Sequence, residues 1–335
     1  MKKTLVNVVK FGISIGLGVL LVWLAVRKLS SNDINEMREA FSRSNWFWLI
    51  IGPAIGIASN LVRAERWNML LRSIGYRAKF WNVAAAVYVM YIGNLAFPRL
   101  GEISRCGIVY STDGIPVEKS IGTMVVERLV DVVTMLAVGV ILFFLQYDLL
   151  QTFFNQYLID PIKSKLNIGD GSLLIKLSLM ALLVIVFGFV FFKVKNSKVG
   201  KIIQEKVMGL LYGINSIRTV ENPFLFVFYS ILIWAMYFVM QYCNFMALTE
   251  TAHLGAIPAL AILFFGAFAF IATQGGIGAY PLVVREILLL YGISANIGYA
   301  FGWISWSLQT LMVLVSGLIA LGYLAFVKRS KTEIA

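Results

Sequence analysis

Apolar runs near the roughly 20 residues that a helix needs to cross a bilayer recur along this chain, and nothing else in the sequence limits its folds so sharply. Full spans are expected at 9–27, 46–62, 120–146, 172–192, 223–248 and 297–327. Backbone polar groups inside hydrocarbon must be satisfied within the segment, so these runs are helices. Composition supports the same class: 59% of the 335 residues are hydrophobic and 14% are charged, where a soluble domain carries about 25% charged residues. The N-terminal stretch MKKTLVNVVKFGISIGLGVLLVWLAV imitates a signal peptide. Its apolar part is long and no small-x-small cleavage site follows, so it is read as an uncleaved first span.

A formal net charge of +12 would suggest nucleic acid in a soluble protein. In a polytopic one it follows from Lys and Arg collecting on cytoplasmic loops, and no nucleic-acid partner is expected. Both termini are expected in the cytoplasm, with the basic loops 63–79 and 193–222 on the same side. Residues 63–79 place Trp67, Leu70, Leu71 and Ile74 at helical spacing among basic side chains. That pattern predicts an interfacial helix carrying Arg63 and Arg66 on the inner leaflet, and 200–217 repeats it. Cys106 and Cys243 are expected to be free, and His253 to sit in a loop or at the interface.

The charge pattern holds only if two further apolar regions, 80–118 and 256–292, do not change sides. Both are interrupted by Gly and Pro and carry charges near the break. They are read as re-entrant hairpins, one entered from each side. The fold class is therefore an all-α polytopic membrane protein with about six full spans and two re-entrant helical hairpins. Its halves, 1–147 and 172–327, form an inverted repeat joined by an extracytoplasmic connector at 148–171. Irregular backbone at membrane depth survives only in protein or against a wet cavity, so a cavity is expected at the breaks.

Chemistry concentrates in three places. In NLAFPRLGEISR, Pro98 removes a donor and Gly101 relaxes the chain, so a helix breaks there. Glu102 and Arg105 then lie i, i+3 and can pair, and a helix starting near Gly101 would offer free N–H groups to an anion. In VVERLVDVV, Glu127 and Asp131 share one face, with Arg128 adjacent. They lie about 10 to 17 Å deep if the span starts near Ser120. One charge at mid-bilayer costs on the order of 3 kcal/mol, so they need partners, for which Arg99 and Arg105 are candidates. In ATQGGIGAYPLVVRE, Gly275, Gly276 and Gly278 supply permissive backbone, Pro281 suits the first turn of a new helix, and Arg285 and Glu286 follow.

R-x-x-R-W-x-x-L-L-x-x-x-G at Arg63 to Gly75, N-x-x-x-P-R-x-G-E-x-x-R at Asn94 to Arg105, ER-x-x-D at Glu127 to Asp131 and GG-x-G-x-x-P-x-x-x-R-E at Gly275 to Glu286 occur in order. With them the chain resembles the membrane domain of lysyl-phosphatidylglycerol synthase, the flippase-like family. The resemblance covers nearly the whole sequence. It implies a lipid translocase fold without the soluble aminoacyl-transfer domain of the bifunctional members, the chain ending a few residues after its last span.

The expected function is translocation of an anionic or polar-headed lipid across the cytoplasmic membrane. Arg99, Arg105, Arg128 and Arg285 would bind the head group through their planar donor forks. Glu102, Glu127, Asp131 and Glu286 would hold those arginines. The lipid could be an anionic phospholipid, an aminoacyl lipid or a polyprenyl-linked lipid. A lipid-modifying enzyme and a second copy of the chain are candidate protein partners. Neither cofactor nor metal is expected, and the P-loop lysine motif of ATP hydrolysis is missing. The alternatives are an intramembrane enzyme that transfers a group onto a lipid, with Glu127 and Asp131 as acid and base, and a regulatory subunit.

Overall fold

The computed structural model describes residues 42–96, 100–147 and 220–334, with isolated positions at 35, 38 and 39. The expected spans at 9–27 and 172–192, the connector 148–171, the second interfacial stretch 200–217, Pro98 and Arg99 lie outside the described residues. All the described elements are helical. They are α1 (Trp46–Ser73), α2 (Phe80–Ala96), α3 (Leu100–Asp113), α4 (Val117–Leu145), α5 (Pro223–Ala247), α6 (Ala256–Ala272), α7 (Ala279–Leu290) and α8 (Ala295–Ile334). The site residues below belong to one compact unit, which takes in the described residues up to Leu142 and from Val220 onward.

Among the described residues, four helices are long and apolar enough to cross a membrane: α1, α4, α5 and α8. They match the runs expected at 46–62, 120–146, 223–248 and 297–327. Their ends carry local signals. Asn45 caps α1 by accepting from the Phe47 N–H at 3.0 Å, and Asn222 caps α5 by accepting from Leu225 at 3.0 Å, with Pro223 at the first helical position. Much of α4 turns bulky apolar groups outward, as Leu136 and Val140 do, while Glu127 faces in. That reversed polarity is what a lipid-facing helix requires.

The two interrupted regions each hold two helices, α2 and α3 in the first and α6 and α7 in the second. Helix α2 packs against α3, α6 against α7, and α7 along α8, while α8 also reaches α2. The break after α6 is made by glycine: Gly275, Gly276 and Gly278 have φ of 61°, 75° and 75°, a region that L side chains enter at a cost of about 1–2 kcal/mol per residue. Pro281 follows in the first turn of α7, as expected. The indole of Trp306 on α8 donates to the Gly275 carbonyl at 2.7 Å, fixing the turn.

Gly101 works differently from its expected part as a relaxed hinge. It is helical, the second residue of α3, and lies against α2, where a Cβ would run into the Met90 carbonyl oxygen. Its N–H donates to Asn94 Oδ1 at 3.1 Å, so one of the first-turn N–H groups expected to be free for an anion is already taken.

Candidate functional site

The charges inside the helical bundle assemble on α1, α3 and α4. Arg63 and Arg66 stand one turn apart on α1, and Glu127 and Asp131 one turn apart on α4. Arg63 Nη1 donates to Glu127 Oε1 at 2.8 Å and to Asp131 Oδ2 at 2.7 Å. Arg66 Nη2 donates to Asp131 Oδ1 at 2.7 Å and to Glu127 Oε1 at 3.4 Å. Arg105 comes from α3 and donates to Glu127 Oε2 at 2.8 Å. Arg128 lies 2.9 Å from Glu102 Oε1 and 3.6 Å from Asp131 Oδ2. Among the described residues, four guanidiniums thus face three carboxylates, Glu102, Glu127 and Asp131, which leaves one positive charge with every group ionised.

Burial grades this network. Arg66, Arg105 and Glu127 are fully buried, whereas the Arg128 side chain keeps 34% of its accessible surface. Bringing charges into low dielectric is repaid only where geometry and further hydrogen bonds satisfy them. Both Glu127 oxygens are therefore engaged, and Arg66 also donates to Ser230 on α5 at 3.2 Å. The Arg105 guanidinium lies 4.4 Å from the centre of the Trp67 ring, a cation–π contact. Trp67 in turn donates to Thr123 on α4 at 3.0 Å. Long side chains such as these, more than close backbone approach, tie α4 to α1.

Arg63 and Arg66 correct the sequence reading. They were expected on an interfacial helix, but α1 runs unbroken through them to Ser73, and Trp67, Leu70 and Leu71 are buried against protein. An apolar stripe flanked by basic residues suits a bundle interior equally well once carboxylates stand opposite. The pairing of Glu102 with Arg105 is also corrected: Arg105 turns to the buried Glu127, and Glu102 takes Arg128 at the more open end. Of the two partners expected for Glu127 and Asp131, Arg105 reaches Glu127. Arg285 and Glu286 pair with each other on α7, at 2.9 Å from Nε, and both keep about a third of their surface. The ion pairs that join α1, α3 and α4 among the described residues are made by other side chains.

Beside the network lies a cavity of about 180 Å³. Among the described residues its polar lining is uncharged: Asn60, Tyr91, Trp234, Tyr237, Gln241, Tyr280 and Gln309. Tyr237 stands between the two features, accepting from Arg63 Nη2 at 3.3 Å and lying 3.2 Å from the Tyr91 hydroxyl. None of these seven stands out in the sequence, although amides inside apolar runs are a readable signal. Cys106 and Cys243 are buried free thiols, and His253 lies in the turn before α6.

Membrane-length helices enclosing a buried arginine–carboxylate network make this a multi-pass membrane protein with a polar interior. The chain belongs to the family described as the lysylphosphatidylglycerol synthase TM region, which it matches over residues 7–317. It is also 29% identical over 133 residues to a protein named Glycosyltransferase AglD from Haloferax volcanii. That match takes in 39% of this chain and 21% of the relative's length. No solved structure matches the chain.

Proposed function

We propose that this protein translocates a lipid with an anionic or polar head group across the cytoplasmic membrane. One observation carries the reading: a cluster with one more arginine than carboxylate is held inside the bundle and grows more open toward Arg128 and Glu102. A phosphate reaching that edge would meet a net positive charge, and the planar Arg128 fork could bind it in two-point fashion. Arg105 retains Nε and Nη2 without hydrogen-bond partners among the described residues, so donors remain next to the saturated Glu127. The acyl or prenyl tails would stay in the bilayer. Membership of a membrane-domain family named for a lipid synthase supports a lipid as the cargo.

Helix lengths support the re-entrant reading of 80–118 and 256–292. Helix α2, with 17 residues, and α7, with 12, extend about 25 Å and 18 Å at 1.5 Å per residue, short of a hydrocarbon core of about 30 Å. With two hairpins that return to their own side, both termini face the cytoplasm and the halves form an inverted repeat. Movement would come from one half rocking against the other.

The test is reconstitution in liposomes with a labelled phospholipid, following its access to a membrane-impermeant reagent. Faster access with unchanged lipid mass is expected, and Arg128→Ala should slow it while the protein stays folded. Wild-type protein that leaves flipping at the rate of empty liposomes overturns the proposal. A new lipid mass would move the assignment to an intramembrane transferase, the class that the name of the Haloferax volcanii relative favours.

A further inference from the structure

The cavity beside the network has a chemistry of its own. Its polar groups come from five helices, α1, α2, α5, α7 and α8, and none is charged. Gln241 is 5% exposed; its Oε1 accepts from the Tyr280 hydroxyl at 3.0 Å, and its Nε2 has no partner among the described residues. Trp234, also in the wall, has an indole N–H without a partner among the described residues. Buried donors left unmet are costly, so the lining favours an occupant that accepts hydrogen bonds.

We infer that this chamber is a subsite for an uncharged, hydroxyl-rich part of a lipid head group, a sugar or polyol, with the Gln241 amide as its main donor. The inference rests on the translocation reading only in taking the ligand to be a lipid. An anionic group would find no cation among the described residues of the wall, since Arg63 reaches it through Tyr237. A cationic group would find aromatic faces in Tyr91, Trp234 and Phe270, but no carboxylate, and the neighbouring network already carries an excess positive charge. A purely apolar group would leave the amide and indole donors unmet. Hydroxyls both donate and accept, as carboxamides and phenols do, and the carbon skeleton of a polyol can rest on aromatic faces. Tyr237 would then touch the neutral part of the head group while its other partner, Arg63, belongs to the charged network.

Binding by the full chain in lipid nanodiscs, read by native mass spectrometry, tests this. The probes are dioleoyl phosphatidylinositol and dioleoyl phosphatidylmethanol, which share tails and a singly charged phosphodiester and differ in the polyol. Wild type should prefer the inositol lipid about tenfold, the scale of one or two discriminating hydrogen bonds. Gln241→Leu should bring the preference within about twofold and leave phosphatidylmethanol binding unchanged. Gln309→Leu, from another helix, should lower it in the same direction and decides the matter if Gln241→Leu does not fold. Equal affinity of wild type for the two lipids, or a preference unaltered in the folded variants, overturns the inference. So does tighter binding of dioleoyl phosphatidylcholine than of either, which would make the chamber an aromatic cage for a cation. The two proposals fail separately: selective binding without faster flipping sinks translocation alone, and flipping with no head-group preference sinks the subsite alone.

Discussion

The α2–α3 region and the α6–α7 region read alike in sequence, each a Gly/Pro interruption with charges just beyond it, yet their described residues are held by different physics. At the first, the glycine is helical and lets two backbones touch, and the charges beyond it reach other helices: Glu102 to Arg128, Arg105 to Glu127. At the second, three glycines take left-handed backbone, a tryptophan holds the turn, and Arg285 pairs with its chain neighbour Glu286. Related hydropathy therefore does not mean related chemistry. The buried polar network belongs to the first interruption, and the second contributes a fold in the backbone and Tyr280 at the cavity wall.

Four substitutions sharpen or break that contrast, each read as a change in unfolding free energy or midpoint of the detergent-solubilised protein. Glu127→Gln should do the most damage, about 3–5 kcal/mol, because it leaves three buried guanidiniums short of a counter-charge. Gly101→Ala comes next at about 1–3 kcal/mol, since the new methyl must push the Met90 carbonyl aside. Gly278→Ala should cost about 1–2 kcal/mol for a different reason: nothing crowds the site, and the whole penalty is the positive φ. Arg285→Ala should fall within about 1 kcal/mol, the range for partly exposed ion pairs. If Arg285→Ala proved as harmful as Glu127→Gln, the two regions would be equivalent after all.

What the sequence disclosed followed the length scale of each signal. Hydropathy located α1, α4, α5 and α8, because an apolar run of membrane length has few other uses. The interruptions were also legible, through Pro281 and the glycines. Partner choice was not. Glu102 and Arg105 stand at an attractive local spacing, but a buried guanidinium gains more from the fully desolvated Glu127, and only the approach of α4 decides this. Arg63 and Arg66 were misplaced because basic residues beside an apolar stripe look the same on a membrane surface and inside a bundle. Their one-turn spacing matches that of Glu127 and Asp131, and that complementarity was the available clue. Asn60, Gln241 and Gln309 were passed over as isolated polar residues in greasy segments, since no local pattern says that they converge.

The unequal count in the network reaches beyond stability. In the translocation proposed above, a surplus positive charge inside a membrane-spanning bundle would sit in the transmembrane electric field, which does work of about 2.3 kcal/mol per elementary charge for each 100 mV crossed. Any motion that carries Arg63, Arg66, Arg105 and Arg128 with their carboxylates along the bilayer normal would be driven or opposed by voltage in proportion to the distance moved. A bound phosphate would cancel that surplus and make the same motion electrically silent.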